Sequence, residues 1–477
     1  FMTFEIDSEL ISGGEAIHFA NLQTSLVISE DDDSFRINAV GMSAWTNPVN
    51  KGYGYYTSTT ARVYPKYAAG TMGAKLGITF GYKADILDYL KEIMQNIDPA
   101  VGITGTTGGA YAQDYAPNAG DYCIVSTIDE EIVPKIVEYC TKYGIDQVDI
   151  HKGNNTHRPG DFYFYNTETG TATEYYEKYG KQFADAGIIT GLHTYAYYID
   201  YNASNILSNP RWQKDLETLE EYTLRRDVTK FKINLATEED ASKFDLTYSF
   251  FYKNSRYVLI DEEIIYIGKG TSSGFINVKR GMCGTEAQDH KAGAKIKHLS
   301  GYFQLFVPVL GSDLFYHVAD LTAKAYNEGG FSMIYLDAID GLNRHTPEGH
   351  EVWYYFQMFV QRIVSQCKVS PIVETSSGSP QEWNTRGRSG AYDYPSRGYN
   401  KFNDGHIANN LTTMRYNMNT TLGWFNFYPA SSDAYPNTTS RILFKNNLDY
   451  MGYQAIIHNM SVVVHPFNPS RIENNPY

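Results

Sequence analysis

Residues 333–337 read Met333-Ile334-Tyr335-Leu336-Asp337: four apolar or aromatic side chains and then a carboxylate, with turn chemistry following in Ala338-Ile339-Asp340-Gly341. This reads as a buried strand that ends on an acid. The same grammar extends to both sides. Upstream, Leu76-Gly77-Ile78-Thr79-Phe80 precedes a helical pattern with Ile86, Leu87, Leu90, Ile93, Met94 and Ile97 on one face. Tyr122-Cys123-Ile124-Val125 leads through Thr127 or Asp129, either a plausible cap, into a helix whose inner face is Ile132, Val133, Ile136, Val137 and Cys140, ended by Gly144. Gln147 to His151, a helix near 173–186 stopped by Gly187, and Ile188 to His193 repeat the unit. Further on come Phe303 to Val307, a helix over 313–328, the run 333–337 itself, a helix over 351–366, Pro371 to Glu374, and Leu422 to Phe427.

Strands that alternate with amphipathic helices require parallel pairing, and about eight such units in one run close naturally into a barrel. The sequence therefore predicts an α/β chain built as a (β/α)8 TIM barrel. An open doubly wound sheet is the alternative, but no G-x-G-x-x-G follows the first strand. Two stretches depart from the rhythm. Residues 1–70 carry short alternating runs such as Phe35 to Val40 and read as an N-terminal β segment. Residues 222–298 are a series of short strands with hairpin signals, read as a β module inserted between a first barrel part (71–221) and a second (299–460), with 461–477 as a C-terminal tail.

Within that module, Asp261-Glu262-Glu263-Ile264-Ile265-Tyr266, then Arg280-Gly281-Met282-Cys283-Gly284-Thr285 and His290-Lys291-Ala292-Gly293, resemble a β module of bacterial carbohydrate-active barrel proteins and phage tail proteins. The segments Ile188 to Tyr195 and Met333 to Gly341 are similar to strand ends of α-glycosidase-like barrels, where an Asp ends an apolar strand beside the sugar. The resemblance implies a carbohydrate-active barrel. It assigns no catalytic pair.

Composition narrows the partners. The net charge of −14 repels a phosphate backbone, so nucleic acid is not expected. No run of about 18 apolar residues is present to span a membrane. Tyrosine, at 41 residues, offers flat apolar faces with a hydroxyl edge, which suits sugars. The four cysteines form no C-x-x-C pair, and G-x-S-x-G, Walker and dinucleotide fingerprints are absent. No cofactor and no catalytic metal are expected, since His151, His157 and His193 lack metal-ligand spacing; a structural calcium on Glu30-Asp31-Asp32-Asp33 is the one ion the sequence leaves room for. The first residues lack a basic n-region and an apolar h-region and look like a start left by processing or by trimming of the chain; the expected localisation is extracytoplasmic or secreted.

In a barrel the active site lies at the carboxyl ends of the strands. Asp337 and Glu374 sit one strand–helix unit apart, close enough for an acid and a nucleophile or base, with Asp149 as substitute for either. His151, His193 and Tyr195 are expected to bind substrate, together with Trp383, Arg386 and Arg388 in a Gly/Ser-rich loop suited to an anionic sugar. The expected activity is glycoside hydrolysis of an oligo- or polysaccharide, acidic in character. Two alternatives stand: a uronate lyase using His193 and Tyr195, and a non-catalytic glycan-binding or phage tail component. The oligomeric state is not readable from these residues.

Overall fold

The computed structural model describes residues 2–5, 17–24, 35–41, 46–53, 56–63, 75–95, 122–247, 253–341, 349–376, 385–389, 422–427 and 460–464. The chain divides into two compact units, one of residues 1–156, 166–194 and 326–477, the other of 157–165 and 195–325.

The first unit is α/β and contains a sheet of eight strands. In chain order they are β1 (Tyr122–Val125), β2 (Gln147–His151), β3 (Ile189–Thr194), β4 (Met333–Leu336), β5 (Ile372–Thr375), β6 (Arg386–Ser389), β7 (Leu422–Phe427) and β8 (Met460–Val464). Across the sheet the order is β6, β5, β4, β3, β2, β1, β8, β7, and every neighbouring pair is parallel. The order is cyclic and is cut once, between β6 and β7. The sheet is also strongly curved. Tyr122 on β1 places its hydroxyl 2.9 and 3.0 Å from the two carboxylate oxygens of Glu374 on β5, whereas at ~4.8 Å per strand a flat sheet would hold those strands roughly 19 Å apart. Tyr122, Ile124, Met333, Tyr335 and Ile372 form one buried cluster inside the curve.

Local chemistry explains the connections. Asp129 accepts from the backbone N–H groups of Glu131 and Ile132 at 3.0 and 2.8 Å, so it caps the helix Ile132–Tyr143. Gly144 ends that helix in the left-handed region at φ 67°, where a Cβ would be strained. Thr171 caps the helical stretch that starts at Ala172, accepting from Glu174 N at 3.2 Å. The helix Gly349–Val364 leads from β4 towards β5.

Three segments fall elsewhere than the sequence suggested. Lys75–Tyr82 is not in the parallel sheet; it pairs antiparallel with Met2–Glu5 and Phe35–Gly41. Its burial differs from theirs: Leu76 to Thr79 are buried, but Phe80 and Tyr82, on the same face as Leu76 and Ile78, are 42% and 56% exposed, so that face is covered only over the first half of the strand. The strands β1, β4 and β5 of the parallel sheet are buried throughout. Phe303 to Val307 is a tight hairpin, Gly301–Tyr302 against Leu305–Phe306, because Phe303 and Gln304 both adopt positive φ. The two missing sheet members are β6, whose Arg-Gly-Arg-Ser has no apolar pattern to reveal it, and β8, which runs past residue 460 into the expected tail.

The second unit holds an antiparallel sheet in the order Thr218–Thr223, Lys295–Leu299, Tyr257–Ile260, Glu263–Tyr266, Lys279–Met282, beside a smaller one of Leu235–Ala236, Gly274–Ile276 and Lys269–Thr271. Leu224, Val258, Ile260, Ile265, Phe275 and Ile296 share its core. Glu263 explains the acid, arginine and histidine of the sequence motif. It accepts from Arg280 Nε (2.8 Å) and Nη2 (2.6 Å), from the backbone N–H of Gly281 (2.8 Å) and Gln288 (3.1 Å), and pairs with His290 Nε2 at 2.8 Å.

Candidate active site

The parallel register aligns His151 with His193, His193 with Tyr335, and Tyr335 with Glu374, so four polar or aromatic residues of β2 to β5 occupy one row. Asp337 lies two residues beyond Tyr335 and so follows it on the same face. Its backbone N–H is tied to Thr194 O at 2.9 Å, which carries the β3–β4 pairing to the end of the strand.

The Asp337 carboxyl is partly open to solvent, with 26% of its side chain exposed, His151 is also half-buried, and His193 is enclosed at 1%. Oδ1 accepts from Ala338 N at 2.8 Å and lies 3.5 Å from the Tyr335 hydroxyl; Oδ2 lies 3.5 Å from His193 Nε2. The His193 ring sits 4.4 Å from that of His151 and 4.1 Å from that of Tyr335. His151 Nδ1 is 2.7 Å from the carbonyl of Lys152. A carbonyl only accepts, so Nδ1 carries a proton, and in the neutral ring Nε2 is the basic nitrogen.

Burial pushes the Asp337 carboxyl above the ordinary aspartate range, and this outweighs the Ala338 N–H, the charges of His151 and Lys152 and the Tyr335 hydroxyl, which all act the other way. A carboxyl of this kind holds its proton longer than a surface aspartate. The next residue, Ala338, sits at φ 59°, a conformation that costs a non-glycine residue about 1–2 kcal/mol and that fixes the N–H facing Asp337.

The other expected residues divide. Glu374 is fully buried and holds the Tyr122 hydroxyl with both oxygens. Asp149 is also fully buried, pairs in register with Gly191, and accepts from Gln147 Nε2 at 2.8 Å. Gly191 is required there: a Cβ would come within 2.2 Å of Asp149 Oδ1 and 2.9 Å of Met333 Sδ. Tyr195 belongs to the second unit, where its ring meets Phe303 edge-on at 5.6 Å. Arg386 and Arg388 lie on β6, opposite Val373 and Glu374; their side chains, together with Trp383 and Glu30 to Asp33, lie outside the described residues. Among the described residues no group of three His, Cys, Asp or Glu is disposed to hold a metal ion, and no helix is long and apolar enough to cross a membrane.

Sequence reasoning did not single out Tyr335 or Tyr122. Tyr335 was within reach, since it precedes a singled-out acid by two residues and therefore shares its face. Tyr122 was not, because its partner lies four strands away.

No family model and no curated protein matches this chain. Solved structures similar to it include a GH36 α-galactosidase from Geobacillus stearothermophilus in complex with raffinose (9% identity, TM-score 0.47, covering 97% of this chain and 57% of that one). The galactosidase domain of an α-galactosidase–sucrose kinase is similar at 9% identity and TM-score 0.42, with the same coverage. The glycoside hydrolase domain of PelA from Pseudomonas aeruginosa is similar at 8% identity and TM-score 0.36, covering 72% of this chain and 94% of that one. The chain thus spans 57% of the length of each of the two galactosidase structures. At such identities and scores, what this chain does rests on its own residues.

Proposed function

We propose that the eight-stranded sheet closes as a (β/α)8 barrel at the β6–β7 joint and that the chain is a glycoside hydrolase acting through Asp337. The cyclic strand order and the Tyr122–Glu374 bond across the interior support the closure. The observation that carries the function is the Asp337 carboxyl itself: at a strand end, partly open to solvent, and biased by burial towards its protonated form. That is the state a general acid needs to protonate the oxygen of a leaving sugar.

We assign Glu374 as the second carboxylate, oriented by Tyr122. It lies one strand over and two residues short of Asp337, a Cα spacing of roughly 8 Å from strand geometry. Retaining and inverting enzymes differ in the separation of the two carboxyl groups, ~5–5.5 Å against ~6.5–9.5 Å, and a Cα spacing of this size is compatible with either. His151 flanks the acid as a substrate contact, with His193 enclosed beside the acid as a positioning residue, and Arg386 and Arg388 on the neighbouring strand favour an acidic saccharide in a chain of net charge −14. Asp149, one register step deeper, supports the row from below.

A panel of acidic and neutral glycans tests this. Release of reducing ends without the absorbance of an unsaturated uronate, lost in Asp337→Asn, is the expected result. Unsaturated products would make the enzyme a lyase. Turnover that survives Asp337→Asn would end the assignment.

A further inference from the structure

The second unit carries a cavity of about 380 Å³ lined by Tyr201, Tyr257, Tyr266, Arg256, Asn254 and Gln304. We propose that this cavity is a separate binding site for a pyranose unit. The proposal concerns binding by the second unit and stands independently of Asp337.

Three features support a built site. First, the volume is at the small end of ligand pockets, which span ~300–1,000 Å³, and its tyrosines form a connected wall: Tyr201 and Tyr257 rings lie 4.8 Å apart, Tyr257 and Tyr266 rings 5.4 Å apart. All three tyrosines are half-buried, offering the apolar faces on which the C–H side of a sugar stacks. Second, the polar residues are held in place. Asn254 spends its Nδ2 on the carbonyls of Asp245 and Thr247, at 2.9 and 3.1 Å, and its enclosed Oδ1 accepts no hydrogen bond among the described residues. Third, Gln304 is presented by a two-residue hairpin in which Phe303 and Gln304 stand at φ 52° and 65°, positions where glycine or asparagine is the ordinary choice. Gly301, at the base of the same hairpin, lets the wall close: a Cβ there would come within 2.7 Å of Asn254 O and 2.9 Å of the Tyr201 hydroxyl.

Arg256 helps to build the wall. Its Nε and Nη2 both donate to Leu246 O, at 3.1 and 2.9 Å, and Nη1 donates to the Tyr266 hydroxyl at 3.0 Å. That uses three of its five N–H groups and leaves two to donate to the oxygens of a ligand.

Saturation-transfer NMR on the full chain, with maltose, cellobiose and melibiose as probes, tests the site. At least one probe should show transfer to wild type and equally to Asp337→Asn, with the signal lost in Gln304→Ala and in Tyr257→Ala. Gln304→Gly separates binding from folding, because it removes the backbone strain together with the side chain: its unfolding midpoint should hold or rise while transfer falls. Transfer from none of the three probes would overturn the proposal. So would transfer that survives both Gln304→Ala and Tyr257→Ala, or that disappears only with Asp337→Asn, which would place the sugar at the parallel sheet.

Discussion

Glu263 in the second unit and Asp337 in the first are both carboxylates withdrawn from water, yet they end in opposite states. Burial alone raises both. At Glu263 that effect is overcome by His290, Arg280 and the N–H groups of Gln288 and Gly281, and the group is held down at about 2. At Asp337 the counterweights are one good backbone hydrogen bond, a hydroxyl at 3.5 Å and the charges of His151 and Lys152, and burial wins. The number and quality of donors, more than depth, decides whether a buried acid is structural or reactive. A saturated carboxylate has nothing left to offer a substrate; an under-solvated one does.

The contrast breaks most sharply at Asp337. Asp337→Asn keeps the shape and removes the proton, so turnover on any glycan the enzyme cleaves should fall by about 10³-fold or more, some 4 kcal/mol of barrier. Stability should move the other way. A raised carboxyl binds its proton more tightly folded than unfolded, so the fold loses stability as pH rises from the unfolded value through the folded one. Asparagine abolishes that loss, and urea titration at neutral pH should find the variant at least as stable as wild type.

Glu263→Gln should act almost entirely on stability, leaving Arg280 and His290 buried beside a neutral amide at a cost of about 3 kcal/mol. The pH dependence follows from two shifts of opposite sign. Glu263 is lowered, so its contribution is complete above the ordinary value of 4.5 and fades as pH falls towards about 2. His290 is raised: burial alone would lower it, but Glu263 and Asp261 prevail, so its contribution is complete below 6.5 and fades as pH climbs through the folded value. Thermal melts of wild type should therefore show the second unit firmest between those limits, and the variant should lose that optimum. A midpoint unchanged by Glu263→Gln would mean the hydrogen bonds contribute nothing net.

Gly191→Ala comes next in size. The added methyl meets Asp149 Oδ1 and Met333 Sδ, and a shift of either side chain in a close-packed interior costs about 1–3 kcal/mol. If the row above it depends on Asp149 for support, turnover drops along with stability; a loss of stability alone would leave Asp149 a packing residue.

How much of this was legible in the sequence varies with how local the cause is. The helix from Ile132 and its stop at Gly144 follow from residues within a turn or two, and they were readable. Asp337 was readable because apolar strands ending in an acid are a local pattern. Lys75–Tyr82 was misplaced because a strand's period says how it is buried but not which strands lie beside it. β6 was unreadable, since Arg386-Gly387-Arg388-Ser389 gains its place from β5 rather than from its own side chains. The Tyr122–Glu374 bond belongs to the same class, closing 252 residues of chain.

The smallest effect asks whether the strain beside Asp337 is real. Ala338→Gly relieves about 1–2 kcal/mol of left-handed backbone strain, but it adds about 0.5–1 kcal/mol of chain entropy and removes a methyl whose burial contributes about 0.8 kcal/mol. The terms cancel, so urea unfolding should place the variant within about 0.5 kcal/mol of wild type. At an ordinary φ the same change would have only the two costs, and a loss beyond about 1.5 kcal/mol would mean that Ala338 is not strained. Turnover gives a second reading. The Ala338 N–H lowers the Asp337 pKa from one side, and a freer backbone weakens that hold; the alkaline limb of the pH–rate profile should then move upward, towards a still more reluctant acid. A limb that moves downward would place the control of Asp337 with His151 and Lys152 instead of the turn.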